Sequence, residues 1–393
     1  MLNFALSDEQ RAMRDSVRAF LEKEIIPHEP QVLSNERAGR PGMEDEQIRD
    51  LQLKARRSGF WGIATPAEYG GADLGPVMTA IVTMENGRTF VPFRFGGSAD
   101  NILFEGTDDQ KAEYLVPTIE GERRSCFALS EPDAGSDARR IRARAVPDGD
   151  DWVIHGEKTF ITNGHRADFA IVFANTPETA TAQAGVTCFL VDRSHGWTSH
   201  PIPTMGDMNA AGLSFDAVRV PSRNVLGSVG RGFELAMQWI GRGRWVIPAR
   251  AVGASERMLE MAVSYANTRR TFGQPIAEYQ AIQWMIADSH VEIESAKWLT
   301  LYAAWREENG IDGRHASSVA KLHGSTIANE VADRVMQIHG GMGYTKELPI
   351  ERWYRELRVM RIYEGTDEIQ RRTIAKNLLS GQVRLSDIGG VLR

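Results

Sequence analysis

The chain has 393 residues, is 42% hydrophobic and 25% charged, and carries a formal net charge of −6. That length can bury a large core in two or three domains, and the acidic balance argues against nucleic acid as the main partner. Its two cysteines, Cys126 and Cys188, form no CxxC pair and join no His/Cys cluster of zinc spacing, so a reducing compartment and no metal site are expected.

The start, MLNFALSDEQ, passes straight into a helix pattern without a charged n-region or an apolar h-region. No apolar run reaches the ~18 residues of a membrane span. Residues 1–123 read as helical. Ser7 followed by Gln10 has the capping-box pattern, and Met13, Val17, Phe20 and Leu21 then share one face. IRDLQLKARRSGF predicts a second helix ending at Gly59. After the loop TPAEYGGADLG, a third is marked by Ile81, Val82 and Met84.

Over 124–226 the texture changes to short alternating or β-branched runs: WVIHGEKTFIT, DFAIVFA, GVTCFLV and LSFDAVRV. They are separated by PDGDD, NGHR and DRSHG, which predicts an antiparallel β-domain. Over 227–393 the helical period returns in segments at 233–270, 281–310 and 317–341. A last helix, TDEIQRRTIAKNLLSG, stops at Gly381. The order helices, strands, helices is that of an α+β chain without βαβ alternation, so a Rossmann-type sheet is not expected.

Five stretches carry candidate chemistry. RIYEGTDEIQRR, at 361–372, holds three acids. Thr366 is a good N-cap, and Asp367 and Glu368 then lie in the first helical turn, where the helix dipole favours carboxylates; Glu368 can also pair with Arg371 or Arg372. Glu364 lies outside that helix, between Tyr363 and Gly365, where neither reason applies. Burial there would raise its pKa towards that of a useful base. ALSEPDAGSD, at 128–137, offers hydroxyls and backbone N–H groups for a polar cofactor, although in isolation it reads first as a run of turn formers. FITNG, at 160–164, presents an aromatic and Thr162 to a planar ring, or is a strand entering an Asn-Gly turn. NTRRTFGQPI with Gln280, and QIHGGMGY at 337–344, read as a pyrophosphate-binding arginine and a close-approach glycine run, or as a solvated helix end and a C-cap.

Taken in order, PAEYGGADLG, SEPDAGSD, GEKTFITNG, RRTFGQPI with AEYQAI, QIHGGMGYTKELPIER and IYEGTDEIQR resemble the acyl-CoA dehydrogenase family along essentially the whole chain. The resemblance implies an N-terminal α-helical domain (1–123), a middle antiparallel β-barrel-like domain (124–226) and a C-terminal four-helix bundle (227–393). It implies FAD as cofactor and dehydrogenation of an acyl-CoA thioester to the trans-2-enoyl-CoA. Glu364 would be the base, with its own backbone N–H and a flavin ribityl hydroxyl holding the carbonyl oxygen. Phe127, Leu129, Ser130, Gly135, Ser136, Phe160 and Thr162 match contacts along the flavin. Arg269, Thr271, Phe272, Gln280, Gln337, Gly340 and Gly341 match positions reaching the FAD of a neighbouring subunit, and Thr366 and Glu368 match own-subunit contacts. Ser136, Arg244 and Tyr363 match substrate contacts.

The resemblance further implies a homotetramer, electron-transferring flavoprotein as acceptor, and a cytoplasmic location, or the mitochondrial matrix for a mature eukaryotic chain. The chain departs from the family at several places. Phe160 stands where Trp is commonest and Ser130 where Thr is frequent. Gly241 replaces an Asp or Asn that binds the CoA adenine, and TMGDMNAAGLSF lacks the usual Ser-Asp-Thr. Gly243 occupies the alternative position of the base, which leaves Glu364. An acyl-CoA oxidase, an enoyl-CoA reductase and a non-catalytic flavin-binding subunit are the rival readings. Trp239, Trp245 and VPFRFGGSAD are candidates for shaping the acyl pocket, or plain core.

Overall fold

The computed structural model describes residues 5–180, 182–206, 209–241 and 244–384. By packing, the chain divides into two compact units. One comprises Met1–Phe60, Leu74–Phe95 and Gly243–Arg393, and the other comprises Trp61–Asp73 and Gly96–Arg242.

The first unit is helical. Helix Asp8–Phe20 starts in the expected capping box, with Gln10 N–H on Ser7 Oγ at 3.1 Å and the reciprocal bond at 3.0 Å. Asp45–Arg57 and Pro76–Gly87 follow, then Val246–Thr268, Gln280–Glu308, Arg314–His339, Ile350–Arg358 and Asp367–Leu379. The continuous helix predicted over 233–270 is instead two, Gly232–Gly241 in the second unit and Val246–Thr268 in the first. The glycines of GRGR are poor helix formers, and Pro248 sits in the first turn of the new helix, where its missing N–H costs nothing. Ile350–Arg358 has no counterpart in the predicted elements, although Ile350, Trp353 and Leu357 are buried at helical spacing.

Val246–Thr268, Gln280–Glu308 and Arg314–His339 pack on one another, with Asp367–Leu379 against Arg314–His339. Small residues let the backbones approach. Ala249, Ala251 and Ala254 of one helix and Ala320, Ala328 and Ala332 of another are fully or nearly fully buried. A Cβ on Gly253 would lie 1.9 Å from the Met84 carbonyl oxygen, and one on Gly87 would lie 2.5 Å from that of Arg250. The crossing of Pro76–Gly87 with Val246–Thr268 is therefore fixed backbone to backbone.

The second unit is built on one sheet whose strands are β1 Ser125–Ala128, β2 Arg144–Asp148, β3 Asp151–Thr162, β4 Phe169–Thr176, β5 Gly185–Asp192, β6 Thr198–Pro201, β7 Ala210–Pro221 and β8 Val225–Leu226. The order is β6-β7-β3-β2-β4-β5-β8, with β1 also on β4. Most pairs are antiparallel as predicted, but β4 pairs with β1 and β2 in parallel. The reason lies in its composition: FAIVFANT is apolar on both sides, as a strand covered on both faces must be. Ala170, Val172 and Ala174 enter a core with Trp152, Phe189 and Trp197, while Phe169, Ile171 and Phe173 enter another with Leu103, Tyr114 and Ala236. Cys126 and Cys188 are free and lie in opposite cores. Among the described residues no helix is long and apolar enough to cross a membrane, and no His/Cys/Asp/Glu group has metal-site geometry.

Replacing Gly253 by Ala should overpack the helix crossing and lower stability by about 1–3 kcal/mol. Denaturant unfolding of the two proteins checks this; an unchanged midpoint would show that the crossing has slack.

Candidate active site

In the second unit, SEPDAGSD is anchored by a charge pair that its turn-rich composition hides. Lys158, on β3, is fully buried and donates to Glu131 at 2.7 Å and to the Leu129 carbonyl at 3.1 Å. Glu131 also accepts the backbone N–H groups of Arg142 at 2.5 Å and Ala143 at 3.0 Å. Burial pulls the Lys158 pKa down to about 8, against the pull of Glu131. Thr159 N–H donates to the Ser130 carbonyl at 2.9 Å, so the loop and β3 are tied at a second point.

Immediately beyond this tie, the register of β3 against β7 shifts between Lys158 and Ile161. Phe160 lies in that bulge with φ of 57°, and its side chain is 67% exposed. A bulge re-aims a side chain that regular alternation would direct elsewhere. Thr162, Gly135 and Ser136 are likewise exposed, and nothing lies within 4 Å of a Cβ built on Gly135. Leu129 is buried and Ser130 half-buried. Phe127 stacks on Trp239, with ring centroids 3.9 Å apart and an interplanar angle of 10°. Trp239 in turn donates to Asp100 at 3.2 Å, so this tryptophan has a defined partner on each side. An exposed aromatic face, a nearby hydroxyl and an open glycine backbone suit a planar ring with a polar edge, such as a flavin.

In the first unit the acid-rich stretch resolves into distinct roles. Asp367 is 3% exposed, and Arg361 Nε donates to it at 2.7 Å. It is a buried anchor as well as a first-turn acid. Arg371 approaches Asp367 at 3.9 Å, while Glu368 is exposed. Its pKa is lowered by a hydrogen bond to its own backbone N–H and by the Thr366 hydroxyl. Thr366 caps the helix, accepting the Ile369 N–H at 3.3 Å.

Glu364 is half-buried and has φ of 54°, a left-handed conformation that costs a non-glycine residue ~1–3 kcal/mol. The turn is held by three hydrogen bonds from two side chains. Lys321 Nζ donates to the Gly365 carbonyl at 2.7 Å. Gln370 Nε2 donates to the same carbonyl at 2.9 Å and to that of Glu364 at 3.2 Å. Gly365 itself has φ of 89°, which a side chain would strain, and a Cβ there would lie 2.6 Å from Gln370 Nε2 and push that clamping amide aside. Lys321 is 0% exposed; burial lowers its pKa to about 8, opposed chiefly by Asp367 and assisted by Arg244. Arg244 donates to Ser318 at 3.3 Å, feels the Glu364 charge, and has a buried Nε without a hydrogen-bond partner among the described residues. Tyr363, half-buried beside Glu364, has its pKa raised by burial.

The remaining predicted residues lie elsewhere in this unit. Arg269 follows helix Val246–Thr268 into a hairpin of Arg270–Thr271 and Gln274–Pro275, whose tip residue Phe272 is 99% exposed. Gln280 opens the next helix, and Gln337, Gly340 and Gly341 are exposed at the end of Arg314–His339. Tyr265 stacks on His339 with centroids 4.4 Å apart, joining the hairpin end to the glycine run. Lys321 and Gln337 lie on one helix, which separates the Glu364 turn from this second group by about 24 Å at 1.5 Å per residue. Gly241 is half-buried with open space around it, and Gly243 and residues 207–208 of TMGDMNAAGLSF fall outside the described residues. The motif reading passed over Lys321, Gln370, Glu131 and Lys158. A lysine inside the apolar helical run SSVAKLHGSTIA and the paired charges of SEPDAGSD and GEKTF were the available signals.

Comparison with known proteins places the chain in context. The models described as acyl-CoA dehydrogenase N-terminal, middle and C-terminal domains match residues 7–122, 126–218 and 230–379. The mitochondrial short-chain specific acyl-CoA dehydrogenase of Bos taurus is 36% identical over 95% of this chain and 91% of its own length. The CarC subunit of the caffeyl-CoA reductase-Etf complex of Acetobacterium woodii is 34% identical over 95% of this chain and 99% of its own. The structure of butyryl-CoA dehydrogenase from Megasphaera elsdenii superimposes with a TM-score of 0.84 at 30% identity, covering 96% of this chain and 100% of the other.

Substituting Lys158 by Met should leave Glu131 buried without its cation, at a cost of about 3–5 kcal/mol; a thermal midpoint equal to wild type would refute that clamp. For Lys321 the prediction is a dependence of stability on pH. Its folded pKa, about 8, lies below the ordinary lysine value of 10.5, so between these the unfolded chain binds more protons and stability rises with pH. The wild type should therefore gain stability relative to Lys321→Met between pH 8 and 10. A constant difference across that range would contradict the assignment.

Proposed function

The chain belongs to the acyl-CoA dehydrogenase family, and from that premise we propose that it oxidises the Cα–Cβ bond of an acyl-CoA thioester to the trans-2-enoyl-CoA, with Glu364 as the base. Members of the family are FAD-dependent flavoproteins, and FAD is the cofactor of this chain. The observation that carries the reading is the clamped left-handed turn at Glu364. Strain of this kind persists only where the surroundings over-determine it, and it gathers at functional sites. Lys321 and Gln370 hold the two carbonyls of the turn, which fixes the plane of the peptide that follows Glu364.

In the proposed reaction the Glu364 carboxylate takes the α-proton. The Glu364 backbone N–H donates to the thioester oxygen, where negative charge develops, and so lowers the barrier electrostatically. FAD, when bound, supplies the acceptor for the β-hydride. Exclusion of water by the acyl chain raises the carboxylate pKa towards neutrality, which suits a base at physiological pH. Arg244, whose buried Nε has no hydrogen-bond partner among the described residues, and Tyr363 flank the turn and are the proposed substrate contacts. Phe160, Thr162, Ser130, Gly135 and Ser136 are the proposed flavin contacts of the sheet unit.

The about 24 Å between the Glu364 turn and the Arg269–Gln337 group supports a cofactor site completed by a neighbouring subunit, and a homotetramer is the assembly proposed from the family resemblance. Electron-transferring flavoprotein is the proposed acceptor. The similarity to a caffeyl-CoA reductase subunit supports, as a second reading, the same residues working in the reducing direction.

A Glu364→Gln enzyme loaded with FAD should keep its flavin content and lose at least about 10²-fold in kcat. Near-normal turnover in that variant would exclude Glu364 as the base.

A further inference from the structure

Ser318 lies on the buried face of helix Arg314–His339, is 0% exposed, and has no assigned role. A hydroxyl inside a helix ordinarily gives its proton to the carbonyl four residues back. Ser289 does so to Met285 at 2.7 Å, and Thr326 to Leu322 at 2.8 Å. Ser318 does not. It accepts from Arg244 Nη1 at 3.3 Å, and among the described residues its own proton has no acceptor. Arg244 Nε is a second such donor, buried and without a partner among the described residues. Two unspent donors thus stand on one hydrogen-bonded pair, and donors buried in that state are costly until an acceptor reaches them.

Both residues are held in place. Trp245, next to Arg244 in sequence, is 3% exposed, and its indole donates to Glu307 at 2.7 Å. The Arg244 carbonyl accepts the Ile247 N–H at 3.3 Å, so the backbone under the arginine is fixed as well. Ser318 precedes Lys321 by one turn of the same helix, about 4.5 Å along its axis. Lys321 grips the Gly365 carbonyl, and Ser325, a further turn on, lies 3.5 Å from Asp367. Ser318, Lys321 and Ser325 have the three-then-four spacing of one helical face. That single face carries the arginine, the Glu364 turn and the buried aspartate in fixed register.

We propose that Ser318 is a substrate-binding residue: its hydroxyl proton and Arg244 Nε form a donor pair for one amide carbonyl oxygen of the pantetheine arm, and its oxygen aims the guanidinium. The inference rests on the acyl-CoA reading above, with Arg244 as a substrate contact. An acyl-CoA offers neutral amide carbonyls near the thioester and charged phosphates farther off. Glu364 already acts as a counter-charge to Arg244, so a second anion at this place would be repelled, whereas a neutral carbonyl is not.

The test uses full-length FAD enzymes, wild type, Ser318→Ala, Arg244→Gln and the double variant, with butyryl-CoA and butyryl-pantetheine, which keeps the amides and lacks the phosphates. Alanine is smaller than serine and a better helix former, so Ser318→Ala should keep the flavin content and thermal midpoint of the wild type. It should raise KM about tenfold on both carriers and leave kcat within about twofold, the mark of lost uniform binding. In the double variant, loss of the hydroxyl should add less than about twofold to the effect of Arg244→Gln, because the two donors act as a unit. Binding of both thioesters to the Glu364→Gln holoenzyme, read from the flavin spectrum, should show the same about tenfold shift on Ser318→Ala whether or not Glu364 is the base. An unchanged KM in Ser318→Ala, or a loss shared by kcat and KM together with flavin, overturns the donor pair. A loss confined to the CoA carrier would assign the pair to a phosphate and overturn the carbonyl. If Arg244→Gln itself leaves KM unmoved, the reading of Arg244 as a substrate contact fails; if only Ser318→Ala does, the donor pair fails and that reading stands.

Discussion

The Glu364–Gly365 turn depends on a buried lysine reaching a backbone carbonyl. Lys321 gives up hydration to donate to Gly365, and Gln370 doubles the hold from the following helix. Without such partners a glutamate at φ of 54° would relax towards an ordinary conformation and carry its carboxylate with it. The neighbouring buried polar groups support that hold. Asp367 offsets the lysine charge, Arg361 neutralises Asp367, and Thr366 starts the helix that presents Gln370. In the proposed reaction Glu364 does the chemistry while Asp367, three residues on, is tied down as structure.

The sheet unit uses the same device. A buried lysine, Lys158, ties a loop of turn-forming residues to a strand, and the strand then bulges to turn Phe160 outward. In both units a desolvated ammonium fixes a backbone that composition alone would leave free. Buried ion pairs are poor net stabilisers but costly to break, so their value lies in specifying one geometry. That suits positions where a fraction of an ångström matters more than total stability.

Much of the fold was legible because it is written in periodicity. The Ser7–Gln10 cap, the strand runs from Trp152 to Val220 and the closing helix at Thr366 all follow local rules. The parallel neighbours of β4 were not, since an apolar strand states that it is buried on both faces but not which strands flank it. The break between Gly241 and Val246 was hidden by apolar spacing that continues on both sides of the glycines. At the site, the ordered motifs pointed to Glu364 where the isolated stretch could not. The residues that hold it were not legible: Lys321 and Gln370 are 43 and 6 positions away, and their hydrogen bonds go to main-chain oxygens, which leave no mark in sequence.

The central claim is that Glu364 is held ready to take an α-proton. The most direct measurement separates that step from oxidation, using a 3-thiaacyl-CoA, in which sulfur replaces the β-carbon and no β-hydride can leave. Exchange of its α-hydrogens for solvent deuterium on the FAD enzyme, followed by NMR, should be catalysed by the wild type and abolished in Glu364→Gln at equal flavin content. Exchange at the wild-type rate in the variant would contradict the account.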